Sequence, residues 1–387
     1  MSELRSRSST PGRGPPFWSD RIVAFARQEW LLGVTLATCL LFLLQGEALA
    51  ERPSSPLLMG AVVVWLFAVI LGSAIAVVRH AEALAHRLGE PYGALILTFS
   101  VTAIEVMSLS ALTAQPDSDP TLVRDTLFSV VMIILNGMVG LSVLSGAWRH
   151  TEQHYNLQGA NTYLGLIIPL AVLSLVLPDF TRTTSGPTFA SGQEVFLIVM
   201  SLALYALFLV VQTGRHRGYF SLDAAGREPQ EAHSGERPAL ARHAVLLVMY
   251  MLPVGFLAEE LAHPVDRAIG MLHAPAALSG MMIAVLVATP EAIGAVRSAL
   301  ANRLQQAVNI FLGSVLSTMA LTVPAMLLID NLTRRHLVLG LEHSDLVMLL
   351  LTLAVSMVTF ASGRTNVLQG AVHLLLFAAY ILLMFQN

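Results

Sequence analysis

The chain has 387 residues, of which 55% are hydrophobic and only 12% charged, with a formal net charge of −3. A soluble domain carries about 25% charged residues, so this composition excludes one and leaves a polytopic membrane protein. All 22 basic side chains are arginine and form no aromatic-rich basic cluster, which excludes nucleic acid as a partner. The single cysteine, Cys39, excludes an internal disulfide.

Lipid offers no hydrogen-bond partners to the backbone, so only helices or a closed barrel can span it. The apolar runs here are continuous and roughly 20 residues long, which predicts helices. The fold class is therefore all-α. Residues 1–28, rich in Ser, Arg, Pro and Gly, read as a disordered cytoplasmic tail. The run over 29–48 reads as an uncleaved extra first transmembrane helix, although Ala48-Leu49-Ala50 imitates a signal-peptide cleavage site. Ten further spans fall at roughly 57–79, 90–114, 125–147, 161–178, 193–213, 242–263, 275–300, 304–329, 344–362 and 366–386, about 11 in all. The longest polar gap, 214–241, reads as a cytoplasmic loop dividing a first five-helix repeat (57–213) from a second (242–387). Five is odd, so the second repeat starts from the opposite face. Inverted repeats with a site near the midplane are a recurring plan of secondary transporters. Placing the N-terminus in the cytoplasm puts most arginines inside, with Arg334-Arg335 as the clear violation. The expected location is the bacterial inner (plasma) membrane, with multiple passes. Nothing in the chain indicates an oligomeric state.

Two acids stand deep within apolar runs. Thr98 to Glu105 reads TFSVTAIE and Ala284 to Glu291 reads AVLVATPE, and each belongs to the second span of its set. A carboxylate at that depth is costly and marks a functional site by default. The next span of each set carries a small or polar patch, Leu135-Asn136-Gly137 and Gly313-Ser314-Val315. Each acid lies about three residues, or about 5 Å, past the middle of its helix. Side chains lean toward the helix N-terminus, so the two carboxylates converge on the midplane from opposite sides.

Desolvation and like-charge repulsion oppose two ionised carboxylates at such a place. Either protons neutralise them or a cation binds between them. The two outcomes exclude each other, and that exclusion couples an antiporter. Ca²⁺ takes six to eight oxygen ligands, and two carboxylates match its charge. Glu105 and Glu291 are thus the candidate metal and proton sites, and Asn136 and Ser314 the candidate neutral metal ligands. Thr289, Asn309, Ser317 and Thr318 form a secondary polar lining. Pro290 lacks an N–H, which leaves the Leu286 carbonyl without its helical partner. Na⁺ or K⁺ could use the same cage with one acid protonated. No resident cofactor is expected, since the ions are cargo.

Blander readings stand beside these. Asn136 and Asn309 can serve as interhelical hydrogen-bond ties, Ser314, Ser317 and Thr318 as packing residues, and Gln305 and Gln306 as interfacial ones. Glu259 and Glu260, ending a span near the outer face, read as surface. His150 and His154 share a helix face at i, i+4, a zinc-compatible spacing with no third ligand in view. No nucleophile and base pair occurs at membrane depth, which argues against an enzyme. A passive cation channel remains a rival.

The residues at this point resemble the cation/Ca²⁺ exchanger superfamily, and within it the ChaA-type cation/proton antiporters. The resemblance is carried by Gly89-Glu-Pro-Tyr-Gly-Ala-Leu-Ile-Leu97 leading to Ala103-Ile-Glu105, by Pro290-Glu291, Asn302-Arg-Leu-Gln-Gln306, Asn309 and Gly313-Ser314, and by Leu321-Thr-Val-Pro324. It implies proton-coupled export of Ca²⁺ and, in this branch, of Na⁺ or K⁺. It carries the ion-binding glutamates onto Glu105 and Glu291, with Asn136 and Ser314 at the polar positions of the following helices. Relatives carry a Gly-Asn breaker before the first glutamate; here Thr102-Ala-Ile104 stands in its place.

Overall fold

A computed structural model describes residues 27–46, 55–89, 92–114, 119–181, 184, 186–214, 216–220, 237–333 and 337–386. The N-terminal tail up to residue 26, most of the 214–241 loop and the Arg334-Arg335 pair lie outside the described residues.

Eleven helices carry the chain: α1 Trp30–Gly46, α2 Pro56–Leu88, α3 Tyr92–Thr113, α4 Leu122–Arg149, α5 Leu157–Phe180, α6 Ser191–Thr213, α7 Arg237–Leu272, α8 Ala277–Leu300, α9 Leu304–Thr333, α10 His343–Thr359 and α11 Val367–Met384. Among the described residues, nine are long and apolar enough to cross a membrane; α1 and α10 are shorter apolar helices. The all-α architecture expected from the apolar runs is the one observed. A pair of two-residue strands, Gln153–His154 and Arg364–Thr365, ties the α4–α5 loop to the α10–α11 loop.

Two helices overrun their predicted ends. α2 continues to Leu88 and α7 begins at Arg237 and reaches Leu272. Hydropathy ends where charge begins, but His-Ala-Glu-Ala-Leu-Ala after Arg79 contains nothing that breaks a helix. α2 starts at an N-cap, Ser55, whose hydroxyl accepts from the Leu58 N–H at 3.2 Å, followed by Pro56; it stops at Gly89, whose φ of 68° suits glycine. α7 runs through Pro253 and Pro264.

The helices build two hydrophobic cores. One joins α1, α2 and α7 with Val101, Ile104 and Leu112 of α3 and Ile283, Leu286 and Val287 of α8. The other joins α4, α5, α6, α9, α10 and α11 with Leu109 of α3 and Ala284, Ala288, Ala295 and Ala299 of α8. Only α3 and α8, the helices that carry the two acids, place several turns at the seam between these cores.

α4 and α11 touch backbone to backbone. A Cβ on Gly370 would lie 2.6 Å from the Leu144 nitrogen, and one on Gly140 would lie 2.9 Å from the Leu374 nitrogen. Small residues permit this approach, and backbone cannot yield as a side chain can. Gly370→Ala is expected to destabilise the protein by about 1–3 kcal/mol. Gly165→Ala, whose Cβ would meet nothing within 4 Å, is the control. Thermal unfolding in detergent checks both.

Candidate cation site

α3 and α8 remain single helices through the two acids, including at Pro290. Thr102 and Ser108 lie one turn before and one turn after Glu105 on α3. Glu105 is 2% exposed. Its Oε2 accepts from Thr322 Oγ1 at 2.7 Å and from Thr318 Oγ1 at 3.1 Å, both on α9. Its Oε1 is buried without a partner, and so are Thr102 Oγ1 and Ser108 Oγ. Most buried polar atoms find partners, so these oxygens are candidate ligand donors.

Glu291 accepts a hydrogen bond from Ser314, on the neighbouring helix α9. Ser314 and Thr318 are four residues apart on α9, so the two carboxylates bond successive turns of one helix face. α9 joins them: Ser314 holds one carboxylate, and Thr318 and Thr322 hold the other.

The remaining candidates divide. Ser317 donates to the Ser314 carbonyl at 2.9 Å, and Thr289 to the Val285 carbonyl at 2.5 Å; both hydroxyls serve their own helices. Asn309 donates to the Phe220 carbonyl at 2.7 Å and accepts from Gln305, so it ties α9 to the 3₁₀ turn Arg217–Phe220. Asn136 is fully buried but engaged elsewhere. Its Nδ2 donates to Thr352 Oγ1 at 2.8 Å, and its Oδ1 lies 3.2 Å from His373 Nδ1. In this conformation it binds α10 and α11, not either acid.

π turns lie at Ile133–Met138 in α4, Val172–Val176 in α5 and Thr318–Thr322 in α9. The starts of the α4 and α9 turns, 133 and 318, are 185 residues apart, close to the 186 that separates Glu105 from Glu291, and Ser314 stands four residues before the α9 turn. A π turn adds a residue to the coil, and such turns are frequent at functional sites. Thr102, Ser108 and Thr322 did not emerge from the sequence. The i, i+3, i+6 spacing around Glu105 was the available signal for the first two.

Two other expectations change. α4 ends at Arg149, so His150 and His154 do not share a helix face; His154 is in a strand, and no metal-holding group of three or more His, Cys, Asp or Glu occurs among the described residues. Glu259 and Glu260 lie inside α7 rather than ending a span, with Glu260 beside Gly46 at the end of α1.

Paired acids at the seam of two helical cores define a membrane carrier for cations. The profile described as "Sodium/calcium exchanger protein" matches residues 58–214 and 242–386, and the chain belongs to that family. It is a membrane cation antiporter of the cation/Ca²⁺ exchanger superfamily. It is 40% identical over 303 residues to the "Sodium-potassium/proton antiporter ChaA" of Escherichia coli (strain K12), covering 78% of this chain and 82% of that one. It is 22% identical over 302 residues to the "Ca(2+)/H(+) antiporter ChaA" of Bacillus subtilis (strain 168), covering 75% and 81%. Its fold matches the solved structure of native YfkE with a TM-score of 0.70 at 18% identity, covering 92% of this chain and 99% of that one. The H⁺/Ca²⁺ exchanger CAX matches with a TM-score of 0.61 at 16% identity, covering 92% and 89%.

A hydrogen bond to a charged group contributes about 1.5–3 kcal/mol. Thr322→Val is therefore expected to raise the half-saturating cation concentration about 10-fold or more. Thr289→Val, which removes a bond internal to α8, should leave it within about twofold. Cation-driven proton flux in proteoliposomes measures both.

Proposed function

We propose that the protein exchanges Ca²⁺ for protons across the bacterial inner membrane by alternating access, with Glu105 and Glu291 as the shared cation and proton site. The observation that carries this reading is that two buried carboxylates, Glu291 and Glu105, bond hydroxyls one turn apart on α9, Ser314 and Thr318, while the other Glu105 oxygen is buried without a partner. Ca²⁺ is a hard cation that takes six to eight oxygens at about 2.3–2.6 Å. The carboxylates, the hydroxyls of Ser314, Thr318, Thr322, Thr102 and Ser108, and the Leu286 carbonyl freed by Pro290 are the available donors. When both acids take protons, the same oxygens become hydrogen-bond donors and lose the charge that holds a divalent ion. Cation and proton thus bind alternately.

Asn136 adds an oxygen to this set only once its bond to His373 is released. That places it in a later conformation than the one described. The N-terminus is assigned to the cytoplasm by the arginine bias, and protons enter as the metal leaves.

The 40% identity to a relative named a sodium-potassium/proton antiporter favours a second reading, Na⁺ or K⁺ in place of Ca²⁺. One carboxylate then stays protonated, which lowers the site's charge to match a monovalent ion. Purified protein in liposomes with a pH gradient separates the readings: Ca²⁺ at micromolar levels should release protons, and Na⁺ or K⁺ should do so only at far higher levels. Proton release by Na⁺ or K⁺ with no response to Ca²⁺ supports the second reading. Cation flux without proton movement would mean a channel. Glu105→Gln and Glu291→Gln should each abolish exchange while the protein still inserts and folds. Full exchange by either purified variant would remove that acid from the site.

A further inference from the structure

A second ionisable cluster lies far along the bundle from the paired acids, where α1 begins, α2 approaches its end and α7 starts. By the arginine bias this is the cytoplasmic end. His80 of α2 and His243 of α7 face each other with their Nδ1 atoms 3.0 Å apart. His80 is 2% exposed, and its ring stacks on Tyr250 of α7 with centroids 5.8 Å apart. Glu29, just before α1, is 4% exposed; its Oε2 accepts from Arg79 at 2.6 Å and from Tyr250 at 3.1 Å. Its other oxygen, Oε1, is buried without a partner.

We assign the protons from the closest contacts. Arginine only donates, and Arg79 Nη2 lies 3.3 Å from His80 Nε2. That nitrogen is therefore bare, so the His80 proton sits on Nδ1. It is donated to His243 Nδ1, which is bare in turn, and His243 carries its own proton on Nε2. Two bare nitrogens remain. A proton on His243 Nδ1 would set two N–H groups head-on across 3.0 Å. A proton on His80 Nε2 meets the Arg79 donor instead, but has an alternative acceptor in Glu29, whose Oε2 is 3.5 Å away and whose Oε1 is unused. Arg79, whose side chain is half exposed, can leave for solvent.

We propose that His80, His243 and Glu29 form a proton-binding site separate from the paired acids, which takes up one proton at His80 Nε2, releases Arg79 and loosens the join between α1, α2 and α7. Proton uptake replaces one cation on Glu29 by another, so atoms and charge balance with no further reactant. The other charged groups facing the pair are Arg87 of α2 and Arg242 of α7, and Arg242 also donates to Gln28 at 2.9 Å. α3 and α8 also pack on α2, and their charged side chains are Glu105, Glu291 and Arg297. The site faces the compartment into which an importing antiporter delivers protons. Occupied, it slows exchange when that compartment acidifies, by disordering one of the two bodies that must move past each other.

The transport test rests on the proposed Ca²⁺/H⁺ exchange. The maximal rate is measured at saturating Ca²⁺, which suppresses proton competition at Glu105 and Glu291, while the pH on the cytoplasmic side is varied from about 7.5 to about 5, through and below the ordinary histidine range. The wild-type maximal rate is expected to fall several-fold. His80→Gln removes the proton acceptor and should hold the maximal rate within about twofold while KM still rises on acidification; His243→Gln keeps an acceptor for the His80 Nδ1–H and should retain the wild-type fall. Identical wild-type and His80→Gln profiles would overturn the inference. A wild type that moves no Ca²⁺ would overturn the exchange reading instead. Amide hydrogen exchange in detergent needs no transport: once the slower intrinsic exchange at low pH is divided out, the first turns of α1 should be less protected at about pH 5 than at about pH 7.5, and His80→Gln should abolish that difference. Wild-type exchange that is insensitive to this change, relative to α5, would overturn the inference whatever the ion carried.

Discussion

Two buried carboxylates held by one helix inside a lipid-spanning bundle set the terms for the rest of the molecule. Burial strips each of water. Hydroxyls answer part of that cost. α9 offers Ser314 to Glu291 and Thr318 with Thr322 to Glu105, so one helix supports both acids and must pass between them. Its π turn at Thr318–Thr322 suits this task, since a widened coil shifts the direction of the following side chains relative to a regular helix. The matching π turn of α4 directs Asn136 toward Thr352 and His373 instead. The repeats are thus alike in backbone and unlike in the use of their side chains.

The acids were legible because charge within an apolar run has few explanations. Their neighbours were less so. Thr318 and Thr322 sit in a run of small and apolar residues, where a threonine that caps its own helix and one that holds a carboxylate look the same in sequence. Thr289 shows the other outcome: it stands two residues before Glu291, yet it bonds the Val285 carbonyl. The π turns have no composition signal. Span number and order were legible because lipid demands long apolar helices. The ends of α2 and α7 were not, because hydropathy reports the membrane's edge and helix propensity does not stop there.

The two hydrophobic cores give the extra first helix its place. α2 and α7, the first helices of the two repeats, lie along each other and take in α1, which belongs to neither repeat. The ends of their apolar runs carry Arg79, His80, Arg242 and His243, which make the polar join to Glu29 and Gln28. The extra first helix thereby has a structural function: it covers one side of the α2–α7 pair and is fastened to it by charge at one end.

Division into two cores also bears on how a single site can face two sides. A side chain packed wholly within one core cannot change exposure without unpacking that core, since interiors are close-packed and do not deform smoothly. α3 and α8 avoid this by lying at the seam. On α8, Ile283, Leu286 and Val287 pack toward the α1–α2–α7 core, and Ala284, Ala288, Ala295 and Ala299 toward the other. The second face is alanine along most of its length, with Leu278 and Met281 packing on that core only toward the start of the helix. In the proposed exchange cycle, small residues around Glu291 would let the carboxylate change its hydroxyl partners on α9 with little unpacking of either core.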